Sequence, residues 1–139
     1  MEQRSILLAV CGQVLVTFLV WILMFYTRLG AIKRSRTRIQ KLADGAHFEE
    51  VTKDVIHPSD NFENLFEMPV LFYAAMLLIV AINASDRTYS VMAWMFVILR
   101  AAHSYIHCTS NVIRHRFMTY LLSSLVVWVI WGRILAHLL

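Results

Sequence analysis

The sequence predicts an all-α integral membrane protein, a bundle of four transmembrane helices with both termini on the non-cytoplasmic side. Three observations predict it. Of the 139 residues 59% are apolar and only 16% charged, against roughly 45–50% and about 25% in a soluble domain. The apolar residues fall in four long runs, each near the ~20 residues that a helix needs to cross a bilayer. The basic residues flank these runs instead of forming a separate patch, as membrane-topology signals do. The net charge of +4 therefore carries no implication of a nucleic-acid partner.

The spans are expected at about residues 6–27, 65–83, 89–108 and 117–136, within one domain. The first, Ile6 to Thr27, has no charged residue. A cleaved signal peptide has a basic start and a shorter apolar core. Here the basic cluster follows the run, so it reads as a retained span whose helix continues into the basic residues. The connector, 28–59, starts basic with Arg28, Lys33, Arg34, Arg36, Arg38 and Lys41, then becomes mixed and reads as a loop. Ser59 or Asp60 is the expected N-cap of the second span. Pro69 falls in its early turns, where it removes a backbone donor and favours a kink. Asp86 and Arg87 mark a short turn, and the third helix can run on to Ile113. Tyr26, Tyr89, Trp128 and Trp131 lie toward span ends, where aromatic rings favour the headgroup zone.

Charge orients the bundle. The first and third connections hold nine Lys or Arg and the opposite side three, Arg4, Arg87 and Arg133. The positive-inside bias puts the basic connections in the cytoplasm.

Polar groups at membrane depth are costly and point to function. Arg100, His103, His107, Asn111 and Arg114 are spaced 3, 4, 4 and 3 residues apart, which sets them on one narrow helical stripe. Such a basic stripe suits an anionic headgroup; it also suits a structural seam of interhelical hydrogen bonds. At the start of span two, Asn64 and Glu67 share a face. Glu67 can pair with Arg100 or receive an ammonium group. His103 and His107, at i and i+4, could share a metal, but no third ligand follows and Cys108 points to another face, so no metal is assigned. Cys11 and Cys108 have no C-x-x-C spacing and read as small buried hydrophobes. Tyr73, Tyr105 and Tyr120 read as packed rings.

Two stretches resemble a known family. Asn61–Phe72 (NFENLFEMPVLF) carries Asn-x-x-Glu followed by Pro, and Leu99–Phe117 (LRAAHSYIHCTSNVIRHRF) carries Arg-x-x-His-x-x-x-His and then basic residues. They resemble the membrane-associated proteins in eicosanoid and glutathione metabolism, the MAPEG family, and its bacterial branch in particular. The resemblance implies a four-helix protomer, a homotrimer in a bacterial inner (plasma) membrane, and glutathione as co-substrate in sites between subunits that open to the cytoplasm. It implies that Arg116, or as second choice Arg114, holds the glutathione thiolate. Asn64, Glu67, Arg100 and His103 match polar positions that bind the tripeptide, His107 stands where the family has Tyr, and Arg28 matches an Arg that meets a glutathione carboxylate. Asp60 stands where the family has Arg, and a register using Asp60 and Glu63 is the alternative to Asn64 and Glu67. The expected activity is a glutathione-dependent transferase or peroxidase acting on lipophilic electrophiles, with membrane lipid and the substrate as its other partners. The competing classes are a non-catalytic membrane scaffold and a small proton-coupled transporter.

Overall fold

The computed structural model describes residues 1–36 and 39–139, and among these it is all-helical with no strand. Arg38, counted above in the basic connector, lies outside the described residues. Six α-helices follow in order: α1 (Glu2–Ser35), α2 (Gly45–Thr52), α3 (His57–Asn64), α4 (Met68–Ala81), α5 (Arg87–Cys108) and α6 (Ile113–Leu138). Four segments are long and apolar enough to cross a membrane: α1, the α3–α4 pair, α5 and α6.

Apolar residues cover both the inside and the outside of the bundle. Phe72 of α4 stacks on Phe96 of α5 at 4.4 Å, with Ile6, Ala9, Met76, Ile79, Val127 and Ile130 buried around them. On the outside Leu15, Phe18, Trp128 and Val129 are half or more exposed. A helix that is apolar all round is a membrane span or a deeply buried element, and these outward faces have no protein partner among the described residues. α1 packs on α5 at Gly12, where an added Cβ would stand in ordinary contact with Val97 at 3.4 Å. Near the N-terminus Ser90 donates to Ser5 at 2.6 Å, and the Trp94 indole N–H donates to the same hydroxyl.

Several local expectations change. The connector is mostly helical: α1 runs through the basic residues to Ser35, a 3-10 turn covers Ile39–Ala43, and α2 follows with Asp44 as its N-cap, accepting from the Ala46 N–H. Lys and Arg are good helix formers, so charge alone did not end α1. The second span begins at His57, ahead of the expected Ser59 or Asp60 cap, with Pro58 in its first turn and no side-chain cap. Proline fits there because its missing N–H would be unsatisfied anyway. Pro69 does more than kink the span. Residues 65–67 leave the helix, and α4 restarts with Pro69 in its first turn, since proline offers no N–H to the Leu65 carbonyl and disfavours helix in the residue before it. The third helix ends at Cys108, the expected end of its span, without the optional run to Ile113, and Asn111 takes a left-handed conformation at φ 47°, which asparagine tolerates better than most residues.

Candidate functional site

The C-terminal ends of α1 and α5 and the N-terminal ends of α3 and α6 meet at one end of the bundle. The helix break at 65–67 opens the chain there, and a cleft of about 250 Å³ forms, lined by Asn64, Glu67, His103, Ile113, Arg116, Phe117 and Tyr120.

The polar side chains in and under this cleft come from α3, the break after it, α5 and α6. Arg100 of α5 is fully buried and donates through Nη2 to the Asn64 carbonyl at 2.7 Å. In an unbroken helix that carbonyl would accept from Met68, four residues on. Arg100 also lies 5.6 Å from the Tyr120 ring centroid, within cation–π range. Its Nε and Nη1 have no partner among the described residues. His103, one turn on, meets the Arg116 carbonyl through Nδ1 at 3.0 Å. A carbonyl only accepts, so Nδ1 carries the proton. The Arg116 side chain turns back toward α5, with Nη1 3.0 Å from His107 Nε2 and donating to Asn111 Oδ1 at 2.9 Å. Tyr120 donates to Glu67 Oε2 at 3.2 Å.

The result is a basic site. Of the residues that line or directly back the cleft, Arg100 and Arg116 carry guanidiniums and Glu67 the carboxylate, and neither guanidinium forms an ion pair among the described residues. A positive excess in a low-dielectric setting favours an anion.

Of the residues singled out from the sequence, Asn64, Glu67, His103 and Arg116 line one cleft, with Arg100 and His107 buried directly behind them. The five-residue stripe divides. Arg100, His103 and His107 are buried on α5, whereas Asn111 lies in the turn after it and Arg114 is exposed on the first turn of α6. The stripe is thus a helical feature only as far as Cys108. Arg28 lies away from the cleft, its guanidinium 5.4 Å from the Phe48 ring of α2. His103 and His107 pack edge to face at 5.5 Å, and no group of three His, Cys, Asp or Glu among the described residues could hold a metal.

Sequence reasoning missed the role of Tyr120, and it placed Asn61 among the polar residues that open span two without giving it a partner. Tyr120 is not simply a packed ring: it sits four residues after Arg116, on the same face of α6, and that spacing was the available signal. Asn61 is fully buried, donating to Cys108 Sγ at 3.4 Å and accepting from Ser104 Oγ at 3.4 Å; those partners on α5 are not visible in the sequence pattern.

The model of the MAPEG family matches residues 6–136. The chain belongs to the MAPEG family. Comparisons with curated proteins and with solved structures return no match. The family match spans all four membrane helices of this MAPEG protein and both stretches from which its cleft is built.

Proposed function

We propose that this MAPEG protein is a membrane-bound, glutathione-dependent transferase or peroxidase acting on lipophilic electrophiles. The observation that carries the reading is Arg116, a guanidinium free of any carboxylate partner among the described residues, lining one cleft with Asn64, Glu67 and His103. Family membership supports glutathione as the co-substrate.

Bound glutathione would supply a thiol, whose thiolate is the nucleophile toward an electrophilic carbon or a hydroperoxide oxygen. Arg116 would hold the sulfur as thiolate, since a neighbouring guanidinium lowers a thiol pKa. Its bonds to His107 and Asn111 use only Nη1 and leave other N–H donors for the ligand. Glu67 would receive the ammonium group and Asn64 a backbone amide. Arg100 would contribute from behind, fixing the Asn64 carbonyl and adding positive potential. Arg28 and Arg114 would reach a ligand only from a neighbouring copy. At about 250 Å³ the cleft falls below the roughly 300–1,000 Å³ of ligand pockets, which suits a site that a second subunit of a homotrimer completes. The basic end of the bundle would face the cytoplasm, with both termini on the other side.

Glutathione binding to detergent-purified protein tests the reading, followed by calorimetry and by thiolate absorbance near neutral pH. Arg116→Ala is expected to lower the thiolate signal at least about tenfold, as loss of one charge-assisted hydrogen bond implies. A folded, trimeric protein that binds no glutathione sinks the proposal and moves the scaffold and transporter readings forward.

A further inference from the structure

Two further cavities lie on α1, away from the cleft of Asn64 and Arg116. The larger, about 440 Å³, is lined by Tyr26, Leu29, Gly30, Lys33 and Arg34 of α1 and by Val55 from the 3-10 turn Lys53–Val55. Lys33 and Arg34 are exposed and form no ion pair with Asp54 or any other described residue. The smaller, about 260 Å³, is an apolar groove between α1 and α5, with Val16, Leu19 and Leu23 on one wall and Ala101 and Tyr105 on the other.

The two follow each other along one face of α1. Residues 16, 19, 23, 26, 30 and 33 follow each other at steps of three or four, the spacing that keeps side chains on one face of a helix. That face is apolar for its first part and turns basic at its end. The helix rises about 10 Å from Val16 to Leu23, within the roughly 15 Å of one leaflet of a hydrocarbon core of about 30 Å. The apolar part therefore fits inside one leaflet, Tyr26 follows at its edge, and Lys33 and Arg34 come about two turns later on the headgroup side. Aromatic and basic side chains at that depth are the usual anchors to a lipid headgroup.

We infer that this face of α1 binds one anionic phospholipid, its phosphate held by Lys33 and Arg34 and an acyl chain lying in the groove against Leu19, Leu23 and Ala101. A soluble anion would use the basic part alone and leave the apolar groove without a function. A zwitterionic lipid would fill the groove but set its own ammonium group against two cations. The paired features select a lipid with a net negative headgroup.

Native mass spectrometry of the full chain in detergent provides the test, with phosphatidylglycerol and phosphatidylcholine of identical chains offered in competition. The protein should retain phosphatidylglycerol about thirtyfold over phosphatidylcholine, the ratio two basic side chains give near an anionic headgroup. Lys33→Gln with Arg34→Gln should bring this to within about threefold; both residues are exposed, so the variant should keep its fold, as gel filtration would verify. Arg87→Gln, at the opposite end of the bundle, should leave the preference intact. Leu23→Trp, which fills the groove, should reduce retention of phosphatidylglycerol without changing charge. Equal retention of the two lipids, an unchanged preference in the double variant, or displacement of the lipid by inorganic phosphate at matched ionic strength would each overturn the inference.

Discussion

Replacing Asp86 by asparagine and by alanine separates two jobs that its carboxylate performs at the end of the bundle opposite the cleft. One oxygen caps α5, accepting from the Tyr89 N–H at 2.8 Å. The same carboxylate takes two hydrogen bonds from Arg133 of α6, one of them at 2.9 Å, and the guanidinium lies 4.1 Å from the Tyr89 ring centroid. Asparagine keeps the cap and loses the ion pair; alanine loses both. The pair is well aligned and bidentate, but its side chains are 37% and 42% exposed, so solvent screening limits it to about 1 kcal/mol, the upper end for surface pairs. An N-cap contributes about 1 kcal/mol more. Asp86→Asn should then cost about 1 kcal/mol and Asp86→Ala about 2, read from unfolding in detergent with rising dodecyl sulfate.

The pair also fixes a pH dependence. The hydrogen bonds from Arg133 hold the Asp86 carboxyl down from the ordinary 3.8 to about 2. A group whose folded pKa is depressed contributes stability above its unfolded pKa and loses it as the pH falls through the folded one. The gap between wild type and Asp86→Asn should thus be full at neutral pH and close as the pH falls from about 4 toward 2. The reasoning is refuted if asparagine costs as much as alanine, or if Asp86→Asn costs the same after Arg133→Met has removed the partner.

Two further substitutions probe the core and the helix break. Phe72→Ala should destabilise the bundle by about 3 kcal/mol, because the ring is fully buried and stacked on Phe96; a cost below about 1 kcal/mol, measured in the same dodecyl sulfate titration, would show that the bundle collapses to fill the site. Pro69→Ala returns an N–H to the Leu65 carbonyl and lets α3 and α4 join. The span should gain thermal stability, while the affinity for glutathione should fall at least several-fold because Glu67 would turn off the cleft; unchanged affinity by calorimetry would show that the break does not position Glu67.

The four spans were legible because lipid and core both demand apolar side chains, so each run of α1, α4, α5 and α6 stands out whatever its neighbours. Arg100, His103 and His107 were legible for the complementary reason: polar groups on one face of an apolar helix are conspicuous, and their spacing survives without knowledge of the partner helix. What the spacing could not show is where the helix stops. Asn111 and Arg114 continue the arithmetic of the stripe past Cys108, but a left-handed residue and a turn intervene. The helical connector was hidden because Lys and Arg signal topology and helix propensity at once. The partners of Asn61 and the Tyr120–Glu67 bond depend on packing between residues 43 and 53 positions apart, which a pattern along one helix does not encode.

The position of the cleft follows from one residue that carries no charge. Pro69 cannot continue the hydrogen-bond ladder, so the chain leaves the helix at 65–67 and the Asn64 carbonyl loses its regular partner. At membrane depth an unsatisfied carbonyl costs several kcal/mol, and Arg100 supplies the donor from the next span. Asn64 answers only one of the guanidinium's three nitrogens, so the buried charge exceeds what the carbonyl can balance. Glu67, thrown outward by the same break, faces it across the cleft but is exposed and shared with Tyr120. A second guanidinium, Arg116, then adds its charge from α6. Each step removes a local deficit and leaves a larger positive excess in one place, and an anionic ligand is the group that would complete the sequence. On this reasoning the break in the second span and the anion preference of the cleft are one feature, and a variant that closes the break should lose both together.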